Sequence, residues 1–265
     1  MLRPFISLVW AGADTATEQY AQTALEHVLP TGAMHLVIRL TDDPLRIYDS
    51  SDDPIGQSVG DSIIGGARSR FYVREMAAPS CSVGAVLRAS VAYLLFGVGA
   101  DELAGRHTSL TDLWGGSARS LRERLLETPT ADERLAVFES ALAARLPQVR
   151  LMHPAIAAAL HDMHSIESVE AAVRRGGISH RHFIELFRRS IGLTPKSYMR
   201  VARFQYALQY FERDHPMSLA QIAAQAGYSD QSHFNRDFLE FSGVTPAAYQ
   251  QIRPRELNHL PIDRP

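Results

Sequence analysis

At 265 residues, with 46% hydrophobic and 21% charged side chains, the chain has an ordinary folded composition and enough length for one large domain or two modest ones. Its net charge of −2 hides an uneven spread: residues 151–265 hold 13 Lys+Arg against 11 Asp+Glu, and the remainder holds 14 against 18. One cysteine, Cys81, excludes an internal disulfide, and the longest apolar run, Ala89 to Ala100, is too short for a membrane span.

Residues 1–90 read as strands and turns. Short β-prone runs occupy Phe5 to Trp10, Met34 to Leu40, Leu45 to Tyr48, Asp61 to Ile64, Phe71 to Glu75 and Cys81 to Leu87. Turn signals such as Asp42-Asp43-Pro44, Asp52-Asp53-Pro54 and Gly65-Gly66 separate several of them. Such spacing suggests a small barrel or sandwich, interrupted by a helix expected near Thr17 to Val28. After Ala89 the pattern turns helical, over Ser90 to Phe96, Gly99 to Leu103, Ala118 to Glu127 and Ala131 to Leu146. Thr130 and Glu133 form a capping-box pattern, followed by the stripe Leu135, Phe138, Leu142 and Leu146. That stripe packs within its own domain or forms a dimer seam, the former being favoured. Pro147 ends the run, residues 148–152 are read as a linker, and a helix from Pro154 to Met163 opens the second half.

Ser168 to Tyr249 says nearly the same thing twice. Ser168 to Ser179 aligns with Ser218 to Ser229 at an offset of 50. After one inserted residue, Phe183, Phe187, Gly192-Leu193-Thr194-Pro195 and Tyr198 align with Phe234, Phe238, Gly243-Val244-Thr245-Pro246 and Tyr249. In the second copy Ser218 is a candidate N-cap, and Leu219, Ile222, Ala223 and Ala226 mark one helical face. Gly227 suits the left-handed turn after it, and a second helix runs from about Asp230 to Gly243. Helix, glycine turn and helix make a helix-turn-helix, whose second helix enters the major groove of DNA. Two such units joined by a helix from Tyr198 to Phe211 are far more specific than one.

With Phe183 and Phe187 inward, His180, Arg181, Ile184, Glu185 and Arg188 face away; Gln231, Ser232, Asn235 and Arg236 do so in the second copy. Arg can grip a guanine edge, Gln or Asn an adenine edge, and Glu can accept from cytosine. Between Val173 and Arg203 stand eight basic residues against one acidic residue, Glu185, an excess that fits a phosphate-contacting surface.

On these residues the back half, 153–252, resembles the DNA-binding domain of the AraC/XylS family of bacterial transcription regulators. The carrying residues are Ser218-Leu219, Ile222-Ala223 and Ala226-Gly227-Tyr228-Ser229-Asp230-Gln231-Ser232-His233-Phe234, with Arg236, Phe238, Gly243, Thr245-Pro246 and Tyr249. The resemblance implies two units reading successive major grooves on one face of double-stranded DNA. By position it places base contacts at His180, Arg181, Ile184, Glu185, Gln231, Ser232, Asn235 and Arg236. Phosphate contacts would fall at Ser179, His182, Arg188, Arg189, Thr194, Lys196, Ser229 and Thr245. Many members have a basic residue where this chain has Glu185, so the first unit's base reading is expected to differ. Tyr198 and Tyr249 are expected to pack. The front half is similar to a sensor-like domain found before such modules, through Leu29-Pro30-Thr31-Gly32, Leu36-Val37-Ile38 and Gly97 to Gly115. A cupin-like barrel with helices is the implied fold.

The expected architecture is thus an α+β sensor or dimerisation domain (1–147), a linker (148–152), an all-α domain of two helix-turn-helix units (153–253) and a C-terminal tail (254–265). Metal chemistry is not expected: His35 stands alone in its strand, remote from His27 and His107, while His161/His164 and His180/His182 lie elsewhere. Cys81 reads as a small buried residue, with a reactive thiol as the alternative. No phosphate loop, metal-peptidase helix or nucleophile elbow appears, so neither enzyme activity nor a cofactor is expected. The expected function is promoter binding modulated by a small-molecule effector, with RNA polymerase and a second copy of the chain as further partners. A constitutive binder that only dimerises through its front half, and an enzyme with a DNA tether, are the alternatives. Lacking a leader pattern, the chain is expected to be soluble and cytoplasmic.

Overall fold

The strands of the front half assemble into two five-stranded antiparallel sheets. The computed structural model describes residues 2–14, 25–41, 45–48, 50, 53, 55–75, 80–147, 152–162, 173–174, 177–212 and 217–262. The first sheet contains β1 (Ile6–Asp14), β3 (Met34–Arg39), β6 (Ser62–Gly65), β8 (Ser80–Leu87) and β9 (His107–Ser109), in the order β1-β8-β3-β6-β9. The second contains β2 (Leu25–Val28), β4 (Arg46–Tyr48), β5 (Gln57–Ser58), β7 (Tyr72–Glu75) and β10 (His259–Ile262), in the order β10-β2-β7-β4-β5. On β3 the buried Met34, Leu36 and Ile38 alternate with half-buried His35 and Val37, so one face is apolar and the other mixed.

Helices cover the apolar face. They are α1 (Val91–Phe96), α2 (Ala100–Leu103), α3 (Leu110–Trp114), α4 (Gly116–Glu127) and α5 (Ala131–Ala143). Leu36, Ile38, Ile64, Val83 and Ala85 from the sheet join Leu95, Leu110, Leu121, Leu125, Phe138 and Leu142 in one core. Of the α5 stripe, Phe138, Leu142 and the half-buried Leu146 find partners in this core. Thr130 caps α5 by accepting from the Glu133 amide, with the Glu133 carboxylate accepting from the Thr130 amide in return. Cys81 is half-buried, with its Sγ 3.2 Å from a guanidinium nitrogen of Arg134.

The back half contains α6 (Pro154–Asp162), α7 (His180–Ile191), α8 (Pro195–Leu208), α9 (Leu219–Gln225), α10 (Gln231–Ser242) and α11 (Pro246–Ile252). The duplication is visible in the caps: Ser179 and Asp230 cap the two second helices, and Thr194 and Thr245 cap the helices that follow, each with proline in its first turn. Of the first unit's opening helix, only residues 173–174 belong to the described residues, and they are helical; residues 148–151 of the linker 148–152 and the side chains of His161 and His164 lie outside them.

Three findings differ from the sequence reading. Leu25–Val28, expected at the end of a helix, is strand β2, while 17–24 lie outside the described residues. Its pairing with β7 on one side and β10 on the other buries Leu25, Glu26 and His27, and these distant partners override local propensity. The C-terminal tail, read as having no element, supplies β10 and returns to the front half's sheet. The segment 107–114, also unassigned by periodicity, forms β9 and α3.

Front and back halves share cores. Phe183, Phe187 and Ile191 of the first unit extend the helix–sheet core of the front half. The second unit has its own core of Val201, Phe204, Ile222, Phe234, Phe238, Phe241 and Tyr249, which Leu29 and Leu260 close from the front-half sheet.

Candidate nucleic-acid interface

Each recognition helix is held by one face and one end. On α7, Phe183, Phe187 and Ile191 recur at intervals of four and are all buried, which leaves the opposite face outward. On α10, Phe234, Phe238 and Phe241, spaced by four and three, are likewise buried on one face. The two C-terminal glycines, equivalent in the duplication, then dock both helices on the front half. Gly192 (φ +92°) approaches α2 so closely that a Cβ would lie 2.9 Å from the Ala100 carbonyl oxygen. At Gly243 (φ +78°) a Cβ would lie 2.7 Å from the His27 ring and 2.8 Å from Phe71. Only glycine satisfies both the left-handed backbone and these approaches.

The outward faces border one cleft of about 980 Å³ between the units. Its lining includes His180 and Ile184 from α7, Lys196, Met199, Arg200 and Arg203 from α8, and Ser229, Asp230, His233 and Arg236 from the second unit. His180, Arg181, Glu185, Gln231, Ser232, Asn235 and Arg236 are exposed and Ile184 is half-buried. The structure thus brings His180, Ile184 and Arg236 to the cleft, while Arg181, Glu185, Gln231, Ser232 and Asn235 are not among its lining residues.

The expected phosphate-contacting residues divide further. Lys196, Thr194 and Ser229 line the cleft. Ser179, Thr194 and Thr245 accept cap bonds from the amides of His182, Ser197 and Ala248 at 3.3, 3.1 and 3.2 Å. The Thr194 hydroxyl donates to Ser197 Oγ at 2.9 Å, whereas capping leaves the Ser179 and Thr245 hydroxyl protons able to meet an anion at a helix N-terminus. Ser229 is within 3.1 Å of both Asp230 Oδ2 and His233 Nδ1. His182 and Arg188 are exposed. Arg189 turns instead to the front half, with its guanidinium 5.8 Å from the Tyr93 ring centre.

Not all of the basic excess is available to a phosphate backbone, which corrects the reading of that stretch. Arg200 reaches from α8 to α10, donating to Asp237 Oδ1 at 2.7 Å and Glu240 Oε2 at 2.6 Å. The Asp237 bond and then the Glu240 bond raise its already high pKa, so it is permanently charged. Arg203 lies 5.2 Å from the ring centre of Tyr228. These two arginines hold the units together. The signal was present in the sequence: Asp237 lies three residues after Phe234 and four before Phe241, on the apolar face, where a carboxylate needs a partner. Asp230, the α10 cap, accepts from the His233 amide at 2.7 Å; that bond and one from Ser229 lower its pKa and keep it ionised. The packing side of the module holds Tyr198, edge-on to Phe187 at 5.7 Å, and Tyr249, whose hydroxyl donates to the Leu257 carbonyl at 2.7 Å.

Residues 172–252 match a family model described as a helix-turn-helix domain, and residues 1–109 match one described as a domain of unknown function (DUF6597). The chain is similar to the RCS-specific HTH-type transcriptional activator RclR of Escherichia coli (strain K12), 32% identical over 111 residues, 40% of this chain and 38% of that protein. It is also similar to the probable transcriptional regulator LumQ of Photobacterium leiognathi, 35% identical over 74 residues, 28% of this chain and 29% of that protein. The matches thus span less than half the length of these curated relatives. A solved structure of ToxT from Vibrio cholerae is similar over 93% of this chain and 98% of that chain, with a TM-score of 0.48 and 12% identity. Among the described residues no helix is long and apolar enough to cross a membrane, and no group of three His, Cys, Asp or Glu could hold a metal ion.

Proposed function

We propose that the chain is a transcription regulator of the AraC/XylS family, whose residues 153–253 bind promoter DNA in a sequence-specific manner under the control of residues 1–147. One observation carries this reading: the polar faces of both recognition helices are outward and border one cleft, while their C-terminal ends are docked on the front half. His180, Arg181, Ile184 and Glu185 read bases in one groove, and Gln231, Ser232, Asn235 and Arg236 in the next. Arg188 and Lys196 contact phosphates, together with the hydroxyls of Ser179, Ser229 and Thr245 near the helix starts. Like the curated relatives named as activators, the protein raises transcription, with RNA polymerase as its partner on the promoter; it works in the cytoplasm, and two copies serve paired sites. A small molecule received by the front half alters this binding, and no catalytic step is assigned.

Selection of bound duplexes from a random pool tests the reading. Enrichment of a bipartite sequence is the expected result. A pool that stays random after repeated rounds, with retention lost as salt is raised, reduces the activity to non-specific phosphate binding.

A further inference from the structure

Between the two sheets of the front half lies a polar cluster that DNA recognition does not use. His35 and His107 stand on either side of Gly65, in register across β3, β6 and β9. A Cβ at Gly65 would sit in ordinary contact with the His107 ring, at 3.7 Å, so the missing side chain leaves a methyl-sized gap beside that ring. The second sheet contributes Glu26, Tyr72, Arg74 and His259, and Tyr72 meets His107 edge-on at 4.6 Å. Arg68, from the connection between β6 and β7, closes the group.

The charges in this cluster do not balance. Glu26 is ion-paired with Arg74, and His259 Nδ1 lies 3.3 Å from its other oxygen. Burial disfavours its ionised form, but Arg74 and His259 outweigh that and hold its pKa at about 2. Arg68 pairs with no carboxylate among the described residues. One of its terminal nitrogens donates to His107 Nδ1 at 2.8 Å, its guanidinium lies over the Tyr72 ring at 4.7 Å, and its Nε is buried without a hydrogen-bond partner. Because His107 accepts at Nδ1, its proton is on Nε2, the nitrogen beside the Gly65 gap. Burial, then Arg68, Arg74 and His35, push the His107 pKa down to about 3; burial and His259 push His35 down to about 4. Both rings are therefore neutral, and the uncompensated charge is that of Arg68. A desolvated guanidinium with an unused donor is costly unless an anion meets it, and its fork suits the paired oxygens of a carboxylate or a phosphate.

We propose that Arg68 and His107, beside the Gly65 gap, form an anion-binding site that receives the carboxylate or phosphate group of a small-molecule effector. A cation is disfavoured there by two guanidinium groups. The site is linked to the DNA-binding half by geometry: His259, in contact with Glu26, precedes Leu260, which is buried in the second unit's core. An anion beside Arg74 competes with Glu26 for it and so acts on β10. The effect on DNA rests on the regulator reading; the binding does not.

The test is thermal unfolding of the full chain with millimolar inorganic phosphate in one arm and succinate in the other, each against sodium chloride at equal ionic strength. A rise in Tm of several degrees in either arm is expected, and the responding arm assigns the chemistry. Arg68→Met is expected to abolish the rise, and His107→Gln to weaken binding about tenfold or more, which also removes any general salt effect from the comparison. Should Arg68→Met not fold, Arg68→Lys keeps the charge without the fork and is expected to lose most of the response. Equal Tm in both anions and chloride, or an undiminished response in the folded Arg68 variant, overturns the site. The same samples are titrated with selected DNA: a chain that binds duplex but ignores both anions refutes only this inference, and one that binds an anion but no duplex refutes only the regulator reading.

Discussion

His27 Nδ1 lies 2.8 Å from the carbonyl oxygen of Ser242, the last residue of the second recognition helix. A carbonyl only accepts, so Nδ1 carries the proton and donates. The ring also stacks on Phe71 at 4.1 Å, and Leu260 on the neighbouring strand is fully buried in the second unit's core. One edge of the front-half sheet thereby caps the end of α10, which makes the position of that helix a property of the sheet.

Removing either contact should be felt in both halves. His27→Ala leaves a buried carbonyl unpaired and is expected to lower unfolding free energy by about 2 kcal/mol. Leu260→Ala should cost roughly 2–5 kcal/mol. In both variants hydrogen exchange should accelerate at the C-terminal turn of α10 as well as in β2. Acceleration confined to β2 would mean that the helix end is held by other means.

The Arg200 clamp gives a different signature. Asp237 has a side-chain exposure of 5%, and without Arg200 its carboxylate stays buried beside the imidazole of His233, at 3.8 Å. Arg200→Ala is expected to destabilise the fold by about 3 kcal/mol, and Arg200→Ala with Asp237→Leu to recover much of that loss. Denaturant melts of the two variants decide it. A double variant no more stable than the single one contradicts the clamp.

Two arginines on the outer surface should separate specificity from affinity. Arg236→Ala is expected to weaken binding to the selected sequence by about 1–3 kcal/mol and relax one base position, while Arg188→Ala weakens all duplexes alike and flattens the salt slope by about one. Titrations on selected and scrambled DNA at several salt concentrations check both. Equal losses on both DNAs for Arg236→Ala would remove it from base reading.

Much of the back half was legible because its punctuation is chemical. Ser179, Thr194, Ser218 and Thr245 cap helices, Gly192, Gly227 and Gly243 take positive φ, and each does so within a few residues of its partner. The strands β2 and β10 were not legible. Four residues each, they are specified by one another across more than 200 positions, and Leu25-Glu26-His27-Val28 lacks a clean alternation because both its faces are buried. The role of Arg189 was hidden for a related reason, and that of Arg200 was signalled only from its partner's side, by Asp237: an exposed phosphate contact and a clamp are the same residue type until the partner is placed.

Acid should destabilise the front half. His27, His35 and His107 all have pKa values held below 6.5, burial being the first cause in each, so the unfolded chain takes up their protons first. Stability is full above pH 6.5, falls as the pH drops below it, and the loss is complete near 4 for His35 and near 3 for His107. Glu26, lowered from 4.5 to about 2, adds a loss between those values. Each group contributes a slope of about 1.4 kcal/mol per pH unit at most. Chemical denaturation from pH 7 to 4 should show this decline, and His107→Gln should make it shallower. Unchanged stability over that range would contradict the buried neutral imidazoles.

At the centre stand two outward-facing helices that read one duplex together. Hydroxyl-radical footprinting on a selected site measures this directly. Two protected patches on the same face, about 10 base pairs apart, are predicted, with the patch of the second unit weakened in Arg236→Ala. A single patch, unchanged by substitutions on α7, would contradict it.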